Sequence, residues 1–202
     1  SKCGDVIIAT PNKEIFDIVN FYNGIAIMTK FSHESGSDRI FEALEKYDKN
    51  KKYKIIINLQ GDLPNINPLL INLTYKLLTE DSSADISTLC SPIFNKREIE
   101  NPNIVKAYIK NSVKPIYAND FVRVPGSYEH KKLFHHLGIY GYKRSSLMKF
   151  ISMKQSPREK EIKLEQLRAL DNGMKIVIDF TNDIPIGVDT ENDLNNIRKE
   201  FE

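Results

Sequence analysis

Residues 54–64 read KIIINLQGDLP, an apolar run that passes straight into Gln-Gly-Asp. An aspartate there stands at the carboxyl end of a strand, where open α/β sheets bind nucleotides, and Gly61 beside it lets the backbone turn sharply. Mg2+ takes one or two carboxylates together with phosphate oxygens, so Asp62 is half of a metal site. Residues 184–194, IPIGVDTENDL, place Asp189 after a second short apolar run, with Thr190 and Asp193 suited to start the final helix. Two aspartates at the carboxyl ends of neighbouring strands could hold one Mg2+ against the phosphates of a nucleoside triphosphate while an attacking oxygen displaces pyrophosphate. Taken singly, Asp62 reads equally well as a turn acid, and Asp189 reads better as a cap acid than as a ligand.

Residues 31–39, FSHESGSDR, form a third candidate. Ser35 and Gly36 would let the backbone approach a base or ribose closely, and Asp38 begins a helix; an ordinary capped loop has the same composition. His135 and His136 precede LGIYGY, so at least one can point inward among Tyr140 and Tyr142. No histidine–cysteine spacing for zinc, GxSxG elbow or GxxxxGK[ST] phosphate loop is present.

These residues need elements to hold them. Runs of β-branched and aliphatic residues predict buried strands at 6–9, 25–28, 53–59, 86–89 and 175–180. Three- and four-residue apolar spacings predict helices at 38–47, at 67–78 after Pro68, and at 157–170. This alternation predicts an α/β fold with a mainly parallel sheet covered on both faces. Residues 101–142 break the rhythm: apolar and polar positions alternate between Pro and Gly, which predicts an inserted antiparallel segment carrying a substrate contact or a dimer surface. No internal repeat or linker divides residues 1–202, so one domain is expected.

The 29 basic and 27 acidic residues leave a net charge of +2, which argues against nucleic acid as a partner. Cys3 and Cys90 form no CxxC pair, which fits a reducing compartment and a cytoplasmic location. No apolar run approaches the roughly 20 residues that would cross a membrane.

In order along the chain, these stretches resemble the 3-deoxy-manno-octulosonate cytidylyltransferases, or CMP-KDO synthetases. SHESGSDR is similar to the family's DHxSGTxR loop, NLQGDLP to N-x-QGDEP, NPNIVKA to NPNxVK, HHLGIYGY to HLGIYGY, LEQLRAL to LEQLR, and IGVDTENDL to GVDTPEDL. The resemblance implies a Rossmann-like, three-layer α/β/α nucleotidyltransferase fold, commonly dimeric through the inserted sheet. It implies that Asp62 and Asp189 bind the Mg2+ cofactor, that Gln60, His136, Tyr140, Glu165 and Gln166 line the sugar-acid pocket, and that His33, Ser35 and Gly36 lie near the cytosine nucleotide. The implied partners are CTP and an acidic eight-carbon sugar, joined to give CMP-KDO and pyrophosphate for lipopolysaccharide biosynthesis.

Some positions depart from the family. Leu63 replaces the usual Glu of QGDEP, and the family's pocket arginine is either replaced by Asp120 or shifted to Arg123. The family's triphosphate loop, PAR-x-x-S-x-RLPGKPL, has no counterpart, so the resemblance implies an N-terminally incomplete domain lacking on the order of 40 residues. Two other readings use the same residues: a cytidylyltransferase for a nine-carbon sialic-type acid, whose pocket should not combine HLGIYGY with LEQLR, and an inactive nucleotide-fold subunit kept for assembly.

Overall fold

The computed structural model describes residues 4–188 and 190–201. Strand β1 (Ile8–Thr10), helix α1 (Lys13–Phe21) and strand β2 (Ala26–Met28) form a small unit in which β1 and β2 pair in parallel. Helix α1 has no counterpart among the sequence-based expectations; the Asn12 side chain caps it, accepting from the Glu14 N–H at 2.8 Å. Helix α2 (Gly36–Tyr47), strand β3 (Ile55–Asn58), helix α3 (Pro68–Glu80) and strand β4 (Ile86–Pro92) follow, so the first half keeps the expected alternation.

The second half comprises α4 (Lys96–Glu100), β5 (Lys106–Tyr108), β6 (Ile116–Tyr117), β7 (Asp120–Val122), a short 3₁₀ turn at His130–Lys132, β8 (Leu133–Lys143), α5 (Arg144–Ser152), α6 (Pro157–Ile162), α7 (Gln166–Asp171), β9 (Ile176–Phe180) and α8 (Glu191–Phe201). A seven-stranded sheet runs in the order β6-β9-β4-β8-β5-β7, with β3 also paired to β8.

The α/β architecture is as expected, but the expected predominance of parallel pairing is not found. In this sheet only β4 and β9 pair in parallel, while β8 runs antiparallel to β3, β4 and β5. The reason is the length of β8. Its eleven residues serve three partners: its C-terminal half pairs with β3 and its N-terminal half with β5, while β4 lies along its other edge. Residues 101–142 do pair antiparallel, as the alternating pattern predicts, yet most of β8 lies within them and runs through the middle of the main sheet.

The helix expected over 157–170 is two helices. Lys163 takes a left-handed conformation (φ 57°) between α6 and α7, turning the chain before Leu164. Buried polar groups hold this break. Ser156 and Glu159 form a capping box at the start of α6, and Glu159 accepts from Arg168 of α7 at 2.9 and 2.6 Å, so one carboxylate ties both helices together. The expected start of the final helix is present: the Thr190 hydroxyl accepts from the Asp193 N–H at 3.2 Å. The main core packs Tyr140, Tyr142, Phe150, Leu167 and Ile176 between the sheet and α2, α5 and α7, and a second cluster packs Leu70 of α3 against Leu137 and Ile139 on the opposite face. Among the described residues no helix is long and apolar enough to cross a membrane.

Candidate functional site

The N-terminus of α2 meets the end of β3. Ser35 caps α2 by accepting from the Asp38 N–H at 3.2 Å, and its hydroxyl donates to the Asp38 carboxylate at 2.7 Å. Gly36 lies so close to β3 that a Cβ there would stand 3.2 Å from Gln60 Nε2 and 3.6 Å from Asn58 Nδ2. The loop 31–39 and the strand end of NLQGD are therefore one packed surface. Asn58 is buried, and its Nδ2 has no hydrogen-bond partner among the described residues.

Glu165 joins the same surface from the α6–α7 break. Its carboxylate accepts from Ser37 Oγ at 2.9 Å and from the Ser37 N–H at 3.3 Å. Ser37 has a single hydroxyl proton, which this bond uses, so at 3.0 Å the Tyr142 hydroxyl donates to Ser37. Burial raises the Glu165 carboxyl above its usual range, opposed by the Ser37 hydrogen bonds and by the Arg168 charge. Gln166, next along the chain, is buried. A cleft of about 500 Å³ opens beside this junction, lined by Glu34, Ser35, Lys160, Lys163 and Glu165 among others.

On β8, His136 and Tyr140 face the same side with ring centroids 5.3 Å apart, and the Phe121 ring meets the imidazole in a T-shaped arrangement with centroids 5.0 Å apart. Between them the register with β4 slips: Thr88 pairs with Tyr140 but Cys90 pairs with His136, so β8 carries extra residues around Gly138. Gly138 has φ +47°, a conformation that suits glycine. The bulge places His136 Nε2 2.9 Å from Thr88 Oγ1. Burial lowers the His136 pKa to about 3, keeping the ring neutral. Tyr140 pairs with Asn58 across β3–β8, and its pKa is raised by burial first and by the Glu165 charge second. No described residue hydrogen-bonds its hydroxyl.

Asp62 is exposed on the turn after β3. Nothing lies within 4 Å of a Cβ built on Gly61, and its backbone is outside the left-handed region, so this turn does not demand glycine. The apolar run expected to end as a strand at Asp189, residues 184–188, forms no strand; it lies in the loop after β9, and β4 and β8 stand between β3 and β9. The loops beyond them meet instead. The Val188 N–H donates to the Asp62 carbonyl at 2.9 Å, the Ile186 N–H to Asn65 Oδ1 at 3.0 Å, and Asn67 Nδ2 to Asp183 at 2.6 Å. Asp189 itself lies outside the described residues. No described residue donates to the Asp62 carboxylate, and no cluster of three or more His, Cys, Asp or Glu occurs among the described residues. That donor set fits Mg2+, which needs few protein oxygens and takes the rest from phosphate and water.

His33 bonds the Glu42 carboxylate of α2, which also accepts from the Lys30 N–H at 3.0 Å. The Lys30 N–H first, then Lys46 and His33, hold the Glu42 pKa down to about 2. His33 thus anchors the loop that carries Ser35. Arg123, close to the family's arginine position, donates to the Ile162 and Pro102 carbonyls at 3.0 and 3.2 Å, while Asp120 pairs with Arg158. Sequence reasoning missed Asn58, Ser37, Tyr142 and Thr88. All but Thr88 lie within or beside the motifs already singled out, but nothing in the sequence says that Ser37 bonds a carboxylate 128 positions away.

A family model described as cytidylyltransferase matches residues 1–176. The 3-deoxy-manno-octulosonate cytidylyltransferase of Brucella anthropi is 44% identical over 204 residues, covering 98% of this chain and 80% of that protein; its Brucella ovis counterpart is 44% identical over 200 residues, covering 98% and 79%. Among solved structures, a CMP:2-keto-3-deoxy-manno-octonic acid synthetase complexed with CTP superposes with a TM-score of 0.87 at 32% identity, covering 98% of this chain and 80% of that one. A 4-diphosphocytidyl-2C-methyl-D-erythritol synthase from Anaerococcus prevotii, at TM-score 0.58 and 12% identity, shares the fold.

Proposed function

This chain belongs to the cytidylyltransferase family, alongside the 3-deoxy-manno-octulosonate cytidylyltransferases, and from that premise we propose that it transfers CMP from CTP to 3-deoxy-manno-octulosonate, releasing pyrophosphate. The observation that carries this reading is the convergence, at the strand ends of β3 and β8, of polar groups that the protein leaves for a ligand. Asn58 Nδ2 is buried with no hydrogen-bond partner among the described residues, Tyr140 pairs with Asn58 across β3–β8, Gln60 and Gly36 pack beside Asn58, and Asp62 is exposed on the turn that follows. Buried polar groups are otherwise almost always paired.

In the reaction the anomeric hydroxyl of the sugar acid attacks the α-phosphate of CTP. The new bond is oxygen to phosphorus, the bond from that phosphorus to the β-phosphate oxygen breaks, and the hydroxyl proton leaves to solvent. No protein nucleophile takes part, so the residues work by position and charge. His136, Tyr140, Gln60, Glu165 and Gln166 orient the sugar acid, and the capped loop of Ser35 and Gly36, braced by His33, receives the nucleotide. Asp62 and Asp189 are the residues that would hold Mg2+, which when bound offsets charge on the phosphates. Pairing of two copies through residues 101–142 and a cytoplasmic location belong to the same proposal.

The test is pyrophosphate release with CTP, Mg2+ and either 3-deoxy-manno-octulosonate or a nine-carbon sialic acid. Turnover with the octulosonate alone is the expected result. Preference for the sialic acid would reassign the substrate, and binding of CTP without turnover of either acid would favour the inactive-subunit reading.

A further inference from the structure

The Thr88 hydroxyl has one proton, and the Ile139 carbonyl, 2.7 Å away, can only accept it. Oγ1 therefore faces His136 Nε2, at 2.9 Å, with a lone pair. A neutral imidazole carries one N–H, and only a proton on Nε2 completes this contact. We propose that Thr88 is a positioning residue that fixes His136 as the Nε2–H tautomer, so that Nδ1 presents a lone pair to a hydroxyl of the bound sugar acid.

Several features support this assignment. The register slip around Gly138 brings the Ile139 carbonyl and the His136 ring to the same hydroxyl; a regular ladder would not. Thr88 is fully buried, so no water competes for its proton. Phe121 and Tyr140 hold the plane of the ring. No described residue bonds Nδ1. A sugar hydroxyl can donate as well as accept, whereas an N–H at that position would repel a group already committed to donating, so the tautomer decides which hydroxyl arrangement the pocket accepts. The acceptor role of Nδ1 rests on the proposed function; the tautomer does not.

The test separates the two. Ring-nitrogen NMR shifts of the ligand-free protein, with the His136 signals assigned by their loss in His136→Gln, should show a protonated Nε2 and a bare Nδ1. Thr88→Val keeps the shape and should release this preference, and Thr88→Ser should restore it. A protonated Nδ1 in the parent protein, or a tautomer unchanged in Thr88→Val, would overturn the positioning role. Addition of 3-deoxy-manno-octulosonate should shift the Nδ1 signal, and Thr88→Val should weaken that binding about tenfold with CTP binding unchanged. Sugar binding that leaves Nδ1 unmoved would overturn the acceptor role alone. Failure of the sugar to bind at all would overturn the acceptor role together with the substrate assignment, while leaving the measured tautomer in place.

Discussion

The framework behind α6 and α7 and the mouth at the ends of β3 and β8 are both rich in polar groups, yet they are finished in opposite ways. In the framework each buried charge is answered. Arg168 meets both oxygens of Glu159 and lies 4.4 Å over the Phe150 ring. Lys106, fully buried, donates to the carbonyls of Asn101, Ile104 and Arg123 at 2.7, 2.8 and 2.6 Å. At the mouth, the buried Asn58 Nδ2 goes without a described partner. The other buried orphan, Arg144 Nε, belongs to a guanidinium whose remaining nitrogens reach Asp48, Glu45 and the Tyr53 carbonyl, so its charge is met. An unanswered buried donor costs about 1–3 kcal/mol, so leaving one in place makes sense where a ligand supplies the partner. The satisfied cluster is scaffold, and the unsatisfied one is where the proposed site lies.

The comparison breaks most visibly if the framework can be cut without loss. Arg168→Ala leaves the Glu159 charge buried and unpaired, and is expected to lower stability by about 3–5 kcal/mol in denaturant unfolding. A loss below 1 kcal/mol would mean that the pair is not what holds α6 to α7. At the mouth, Asp62→Asn should do the reverse, leaving the unfolding midpoint in place while reducing pyrophosphate release by on the order of 10²- to 10³-fold. Unchanged turnover would remove Asp62 from the site.

Acid should sharpen the contrast further. An unfolded His136 takes its proton near 6.5, but the folded ring resists until about 3. Between those values the unfolded chain binds more protons, so stability is whole above pH 6.5 and falls progressively toward pH 3. Urea midpoints collected across that window should fall less steeply in His136→Gln, and parallel curves would show that the ring is not shielded. The smallest effect is expected for Asn58→Leu. Removing a donor that has no partner recovers its desolvation cost while fitting the differently shaped Leu side chain opposes that gain, so the net change in the stability of the ligand-free protein should be no more than about 1 kcal/mol in either direction. A loss of several kcal/mol would mean that Asn58 belongs to the scaffold.

Five strands and the helices α2 and α3 were legible because burial on both faces demands unbroken aliphatic runs and one-sided burial demands helical spacing. The paired loops proposed to receive a nucleotide were legible too, since QGD and SGSD follow strands and precede helices. Chain-local chemistry is enough for these: a cap bonds within three residues, and a strand end is visible in its own composition. Helix α1 was missed because none of its side chains is buried and its apolar stripe is short.

What only the tertiary structure decided depends on distant partners. Alternation in residues 101–142 signals antiparallel pairing but cannot say that β8 threads the middle of the main sheet, because its partners β3 and β4 lie far away along the chain. The break at Lys163 is invisible in a helix-forming string; it is enforced by the buried Glu159–Arg168 pair, whose strength comes from exclusion of water. The same holds for the His136 ring. Its place in HHLGIYGY marks a polar residue among aromatics, but its neutrality follows from burial, and its hydrogen bond to Thr88 depends on the bulge that shifts β8 in register against β4.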